Sequence, residues 1–141
     1  MSRENVEVHR RLIDAYNARE TEAFVALCDP EIEVHSVFAA PGGADYRGHD
    51  GVRQWHRDLE ESWEAGVRVE PEAFFDLGED TLMFGVLHAR SRQSGVDAAM
   101  PAAQVARVRD GAIVYLKVYV HREDALGDLG ISEEALEPIA P

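Results

Sequence analysis

Residues 98–121, AAMPAAQVARVRDGAIVYLKVYVH, contain two runs of residues that are typical of β-strands. The first run extends from Ala98 to Arg109 and the second from Ile113 to His121, with Asp110-Gly111 between them. Asp-Gly is a hairpin signal because both residues tolerate the positive φ angles that a tight turn needs. The stretch therefore predicts a pair of antiparallel strands.

Two similar runs precede this hairpin. Val67 to Phe75 and Thr81 to Arg92 are rich in apolar and β-branched residues, and they are joined by Leu77-Gly78-Glu79-Asp80. Ser94-Gly95 provides the turn into the next strand. We expect four consecutive antiparallel strands in the second half of the chain.

The first half of the chain has helical spacing instead. One apolar stripe ends near Ala18 and consists of Val6, His9, Leu12, Ile13 and Tyr16. Thr21 can cap a short second helix, and Pro30 ends that helix before a strand near Ile32. Pro41-Gly42-Gly43 then breaks the pattern. From about Asp50 a third helix carries a stripe of Val52, Trp55, His56, Leu59 and Trp63.

Helices followed by a run of hairpins predict an α+β domain, with the helices on one side of a sheet that curls around them. A last helical stretch begins near Arg122, and Ser132 can cap a final turn. No linker, repeat or low-complexity tract divides the chain, so we expect a single domain over residues 1–141.

Composition limits the possible functions. The chain has 141 residues, of which 27 are acidic and 14 basic, and its net charge of −13 repels nucleic acid and anionic lipid. Cys28 is the only cysteine, so no intramolecular disulfide and no thiolate metal cluster can form. No apolar run has the length of a signal peptide or a membrane span. We expect a cytoplasmic protein with no nucleic-acid or membrane partner.

Several short motifs share their order and spacing with a known family. They are Tyr16-Asn17-Ala18, Leu27-Cys28-Asp29-Pro30-Glu31-Ile32-Glu33, Tyr46-Arg47-Gly48, Ile113-Val114-Tyr115 and Arg122-Glu123-Asp124-Ala125-Leu126. Together they resemble the SnoaL-like branch of the nuclear transport factor 2-like fold, over nearly the whole chain. The resemblance implies a cone-shaped roll of three helices on a strongly curved mixed or antiparallel sheet, with an internal pocket, commonly as a homodimer. It implies no single activity, because members include polyketide cyclases, a ketosteroid isomerase and plain binding proteins.

The family's known catalytic patterns are incomplete in this sequence. The ketosteroid isomerase pattern places its base on His35, its second oxyanion donor near Gln104 and its oxyanion tyrosine on Leu12, which cannot donate a hydrogen bond. The epoxide hydrolase triad falls near Leu87, Gly85 and Val118, which cannot move a proton, although a one-residue slip in strand register would bring His88 into the pattern. The polyketide cyclases resemble this chain best, and their acidic residue corresponds to His121.

His35 and His121 are the candidate catalytic histidines. We expect His35 to point into the cone, where a neutral imidazole can act as a general base. The alternative is a histidine that is hydrogen-bonded in a structural polar patch. His121 shares a strand face with Tyr115, Lys117 and Tyr119, and such an aromatic and basic face is also typical of a homodimer contact.

Gln104 is a third candidate, because its strand neighbours on the same face are Ala102, Ala106 and Val108. A lone amide in an apolar row either binds a ligand or satisfies His35. The predicted wall and lid of the pocket are Tyr16, Phe38, Trp55, His56 and Leu59, with Leu87 and Val118 as further substrate contacts. An aromatic stripe of this kind is also compatible with an ordinary core.

The other polar residues receive no role in the site. We predict His88 and Arg90 on the outer face of the sheet, and His9 and His49 on a helix surface or in a loop. No histidine pair has metal-ligand spacing, and Gly42-Gly43 lacks the surrounding order of a phosphate loop, so we expect no metal and no cofactor.

Two classes of function follow. The first is a homodimer that binds a small, hydrophobic, ring-containing metabolite and carries out cofactor-free cyclisation, isomerisation or dehydration, with His35 as base and Gln104 holding an enolate oxygen. The second is a module without catalysis, either a carrier of such a molecule or a dimerisation domain whose pocket is filled.

Overall fold

The computed structural model describes residues 2–38 and 44–139, so the predicted break at Pro41-Gly42-Gly43 lies outside the described residues. The helices are α1 (Ser2–Asn17), α2 (Thr21–Ala26), α3 (Gly48–Ser62) and α4 (Arg122–Leu129), followed by a 3-10 turn at Glu133–Ala135. The strands are β1 (Cys28–Ser36), β2 (Ala44–Arg47), β3 (Trp63–Leu77), β4 (Asp80–Ser91), β5 (Asp97–Arg109) and β6 (Ala112–Tyr119). In the described part of the chain, no helix is long and apolar enough to cross a membrane.

All six strands form one mixed sheet in the order β2-β1-β6-β5-β4-β3, and the sheet is strongly curled. Strands β3 to β6 pair antiparallel in sequence order, as predicted from their turns. Strand β1 pairs parallel with β6 and antiparallel with β2, two features that the turn signals did not predict. The α+β class with a curved mixed sheet is confirmed.

The main core lies between helices α1 and α3 and the concave face of the sheet. Alternation along the strands directs one set of side chains into this core, for example Val34 of β1 and Leu116 of β6. Asn17 fixes the end of α1 to β3, because its side chain donates to the Val69 carbonyl at 2.8 Å and accepts the Val69 N–H at 2.9 Å. The C-terminal end of α1 is therefore anchored to β3.

Close packing of β3 on β4 requires a glycine at position 85. A Cβ atom there would lie 2.3 Å from the Glu70 carbonyl oxygen and 3.0 Å from Cα of Pro71. The strand pairing shifts register at this point, between Pro71 and Ala73, because proline has no N–H for the ladder. Leu87, two residues further along β4, faces the core by the regular alternation of the strand.

A second cluster covers part of the outer face of the sheet with α4. It contains Phe75, Leu82, Phe84, Ala103, Val105, Tyr119 and Ala125. Tyr119 is 5% exposed, and its hydroxyl donates to Asp128 of α4 at 2.7 Å, while Lys117 pairs with the same carboxylate at 3.0 Å. The expected dimer face of Tyr115, Lys117 and Tyr119 is therefore wrong at Tyr119, because α4 of the same chain occupies that position.

Candidate functional site

A narrow cavity lies between α1, α3 and the concave face of the sheet. Its volume is about 30 Å³, which is room for about two water molecules. Most of its lining is apolar, and Gln104, Ser36, Tyr16 and Trp55 supply the polar atoms. The residues that line it are Leu12, Ile13, Tyr16, Phe24, Ser36, Phe38, Trp55, Leu59, Val67, Val69, Leu87, Gln104, Leu116 and Val118.

Most residues of the predicted pocket meet in this cavity. Tyr16 of α1 and Trp55 and Leu59 of α3 form the helical wall, and the strands contribute Leu87, Gln104 and Val118. Phe38, just after β1, closes one end. Their contact with a ligand stays a prediction.

His35 is not part of the cavity, so the predicted direction of its side chain is wrong. Alternation along β1 buries Ser36 on the concave face and leaves His35 on the other side. There the Nδ1 atom of His35 lies 2.7 Å from an Asp45 carboxylate oxygen, and its side chain is 32% exposed. The ring also lies beside Tyr115, with 5.4 Å between centroids. Ser36, which received no role from the sequence, takes the inner position.

His121 also lies outside the cavity. It is exposed and immediately precedes α4, in a surface depression on the outer side of the sheet. Tyr119, which we expected to share its strand face, lines the same depression and is buried against α4. His88 and Arg90 face outward as predicted, and they pair with Glu70 and Asp97 respectively.

His56 lies behind the cavity wall and does not line it. Its ring packs against Phe24, Tyr16 and Trp55 with centroid distances of 4.6, 5.1 and 5.3 Å. Its Nδ1 atom forms a hydrogen bond with the Thr21 hydroxyl at 3.0 Å. The prediction that Thr21 caps α2 is therefore wrong, because its hydroxyl contacts this ring. Burial lowers the pKa of His56 to about 4, and the Arg19 guanidinium acts in the same direction.

His9 is the functional candidate that sequence reasoning missed. The prediction of a helix-surface position is wrong, because His9 is 0% exposed and faces the sheet from the middle of α1. Its Nδ1 lies 2.8 Å from the Thr81 hydroxyl and its Nε2 lies 3.0 Å from Oε1 of Gln104. Its place in the apolar stripe of α1 was the signal that indicated burial.

The three side chains form a polar network inside an apolar core. Burial lowers the pKa of His9 to about 4, and the hydrogen bond to Gln104 opposes this only in part. His9 is therefore neutral at pH 7 and carries one ring proton. The Thr81 hydroxyl, which contacts Nδ1 of His9, also donates to the Ala106 carbonyl at 3.3 Å. Gln104 is thus satisfied by His9 and not by His35. Its amide nitrogen has no partner among residues 2–38 and 44–139.

The cavity is poorly equipped for proton transfer. Tyr16 is the only ionisable residue in its described lining, and burial raises the pKa of the Tyr16 hydroxyl. Residues 39–43 are Ala-Ala-Pro-Gly-Gly and carry no ionisable side chain. Within the described chain, no three His, Cys, Asp or Glu side chains are close enough together to hold a metal ion. The described lining therefore holds no group that is charged at neutral pH.

Comparison with known proteins identifies the family. The sequence model of the SnoaL-like domain family matches residues 9–116, which is more than half of the chain. The chain belongs to the SnoaL-like family. Among curated proteins, no sequence matches this SnoaL-like chain significantly.

Solved structures show the same fold at low sequence identity. A nuclear transport factor 2-like protein of unknown function from Burkholderia pseudomallei K96243 has a TM-score of 0.76 and 20% identity, covering 88% of this chain and 95% of that one. TerC, crystallised with polyporic acid, has a TM-score of 0.75 and 19% identity, with 89% and 97% covered. A protein of ketosteroid isomerase-like fold from Catenulispora acidiphila DSM 44928, in complex with trimethylamine, has a TM-score of 0.72 and 17% identity, with 91% and 95% covered. At these identities the likeness extends to the fold alone.

Proposed function

We propose that this SnoaL-like domain binds a small, largely apolar, ring-containing molecule in the cavity between α1, α3 and the sheet. The observation that carries the proposal is the network of His9, Thr81 and Gln104. Three polar side chains lie where apolar residues would pack without a desolvation cost, and the network ends in an unpartnered amide at the cavity wall. A ligand atom at this amide would complete it.

Related structures support a small organic ligand. TerC was crystallised with polyporic acid, and the Catenulispora protein was solved in complex with trimethylamine. The cavity lining of this chain is mainly aliphatic and aromatic, which suits the apolar body of such a molecule.

A ring-containing ligand needs more room than about 30 Å³. Phe38 lines this cavity and also a surface depression of about 510 Å³, together with Trp63 and Arg92. The Trp63 indole N–H donates to the Phe38 carbonyl at 3.0 Å, which holds the backbone while the phenyl ring remains only partly buried. Rotation of the Phe38 ring would join the cavity to the depression, and the ligand would enter there.

Binding is favoured over acid–base turnover by the chemistry of the lining. Cyclisation, isomerisation and dehydration need a group that removes a proton from the bound molecule. His35 is on the other side of the sheet, and the buried imidazoles of His9 and His56 do not line the cavity. Gln104 would orient the ligand through its amide.

Two matched substitutions test the proposal. Val118→Phe adds a ring inside the cavity, whereas Val96→Phe adds the same ring at a position that is 61% exposed. In a thermal-shift screen of aromatic polyketide, terpenoid and steroid-like compounds, we expect wild type and Val96→Phe to respond to the same compounds and Val118→Phe to lose the response. An unchanged response in Val118→Phe, with its own unfolding transition intact, would exclude the cavity as the site.

A dimerisation domain with a filled core is the second candidate, and the small cavity volume favours it. It predicts no thermal shift with any compound in the panel and a dimer mass by native mass spectrometry. A ligand recovered unchanged at a fixed stoichiometry would exclude this alternative and would support binding without turnover.

A further inference from the structure

The two edges of the six-stranded sheet differ in length. One edge is β2, which has four residues, Ala44–Arg47. The other is β3, Trp63–Leu77, which has 15 residues and is the longest strand of the sheet. A long edge strand presents a row of N–H and C=O groups to which a strand of another chain can add. The β3 edge is therefore the place where this sheet is most exposed to pairing with another chain.

Helix α1 covers the first half of the β3 edge. The Tyr16 hydroxyl accepts the Val67 N–H at 3.1 Å. The Asn17 side chain accepts the Val69 N–H at 2.9 Å and donates to the Val69 carbonyl at 2.8 Å. An antiparallel strand would make the same two bonds to one residue of an edge. Side chains of α1 thus occupy the place of a neighbouring strand.

The C-terminal segment covers the second half of the β3 edge. Ile139 accepts the Phe74 N–H at 3.0 Å and donates its own N–H to the Phe74 carbonyl at 2.7 Å, as an isolated antiparallel bridge. The Ile139 side chain packs against the main core, which holds the bridge in place. Between the two covered parts, Pro71 has no N–H to offer to a partner strand.

Two parts of the chain that are far apart in sequence therefore bond the same row of backbone groups. The outward N–H groups of Val67, Val69 and Phe74 are all bonded within the chain. Asn17 uses both atoms of its amide on one residue, although a single bond would be enough to anchor the end of α1. This arrangement leaves these edge positions without a free donor for an added strand.

We propose that Tyr16, Asn17 and the bridge of Ile139 protect the edge of β3 from antiparallel pairing with β3 of a second copy of this chain. The bridge at Phe74 shows that this edge accepts an antiparallel strand. Two identical edges related by a two-fold axis also run antiparallel, and each supplies the N–H and C=O groups that the other can bond. This contact is separate from the outer sheet face and does not depend on ligand binding.

The test opens the edge by removing hydrogen bonds and leaves the sequence of β3 unchanged. Asn17→Leu frees the N–H and C=O of Val69, and Ile139→Pro removes one of the two bonds of the C-terminal bridge. Two controls make similar losses without opening the edge. Asn5→Leu removes a bond from α1 to the Gly78 carbonyl in the turn after β3, and Ile139→Ala removes side-chain packing but keeps the backbone N–H.

Light scattering after size-exclusion chromatography gives the mass at rising protein concentration, with salt present to screen the net charge of −13 on each chain. We expect the double variant Asn17→Leu with Ile139→Pro to reach twice the mass of wild type, and both controls to keep the wild-type mass. Hydrogen exchange locates the contact. The Val69 amide of the double variant should exchange about tenfold faster than in wild type in dilute solution and become protected again at high concentration.

If circular dichroism shows that the double variant does not fold, Ile139→Pro alone is measured in the same way, with the Phe74 amide as the probe. An unchanged mass at every concentration would overturn the proposal. A larger mass in which the probe amide stays unprotected would also overturn it, because the contact between the copies would then lie away from the β3 edge.

Discussion

His9 is a fully buried imidazole whose two ring nitrogens both have partners, at 2.8 Å and 3.0 Å. A satisfied polar network in a low-dielectric core is held in one geometry, because each member left alone would carry an unpaired polar atom. The network therefore fixes the orientation of the Gln104 side-chain amide at the cavity wall. At the scale of single residues, this is the feature on which the site depends.

Replacing one member of the network should lower the free energy of unfolding more than replacing two members together. His9→Leu leaves the Gln104 oxygen unpaired and should lower the free energy of unfolding by about 1–3 kcal/mol. The double variant His9→Leu with Gln104→Leu replaces both partners by apolar groups and should recover much of that loss. Urea denaturation of the three proteins measures the difference. A double variant no more stable than His9→Leu would show that the network does not act as a unit.

The buried histidines should make stability depend on pH. Burial lowers the pKa of His9 from 6.5 to about 4 in the folded state, so the unfolded chain binds a proton first as the pH falls. The contribution of His9 to the free energy of unfolding is fully present above pH 6.5. It is lost as the pH falls from 6.5 to 4, by up to about 3 kcal/mol.

Urea denaturation at several pH values between 7 and 4.5 checks this dependence. The double variant His9→Leu with Gln104→Leu should lose less stability over the same interval, and its remaining slope would come from His56, whose pKa is also about 4, and from ion-paired carboxylates with lowered pKa such as Asp128. Identical slopes in the two proteins would contradict the neutral buried state of His9.

The sequence contained part of the evidence for these positions. His9 falls in the same helical stripe as Val6, Leu12 and Ile13, which indicates a buried face, although histidine as a residue type favours the surface. Its partners Thr81 and Gln104 are 72 and 95 residues away along the chain, and no local pattern connects them. Only the fold brings the three together.

At the scale of the elements, the alternation of inward and outward side chains along β1 and β6 determines which residues face the core. Ile32, Val34 and Ser36 share the inner face of β1, and the period of two in the sequence already grouped them. The placement of His35 inside came from the family resemblance and contradicted that period. In β6 a register shift beside Val108 buries Ile113 and leaves Val114 partly exposed, which a regular alternation could not predict.

One carboxylate of helix α4 bonds two side chains of the outer sheet face. Asp128 receives the Tyr119 hydroxyl at 2.7 Å and the Lys117 ammonium at 3.0 Å, and these contacts lower the pKa of Asp128. Tyr119→Phe should reduce the free energy of unfolding by about 0.5–1.5 kcal/mol through the lost hydrogen bond. Tyr115→Phe, on the same strand, is the matched control.

Urea denaturation with hydrogen exchange of the α4 amides measures this effect. We expect faster exchange in α4 for Tyr119→Phe and little change for Tyr115→Phe, whose hydroxyl has no hydrogen-bond partner in the described residues. Equal effects of the two substitutions would show that Asp128 does not hold the helix.

At the scale of the whole molecule, the fold class followed from the order of helices and hairpins, and the family from short motifs in a fixed order. The function did not follow, because the cavity volume and its polar atoms depend on side chains from eight helices and strands that meet only in the folded chain. The homodimer stays a prediction. At Tyr119, the predicted dimer face is covered by α4.

The most direct test of the central claim is a titration of methyl-labelled protein, followed by ¹³C NMR, with a compound of the thermal-shift panel that raises its unfolding temperature. The cavity methyls of Leu12, Leu59, Leu87, Leu116 and Val118 should shift together and saturate with one dissociation constant. Those of Leu82 and Val105, buried on the outer side of the sheet, should stay unchanged. No shift in the cavity methyls, or shifts centred on Leu82 and Val105, would contradict a binding function for this cavity.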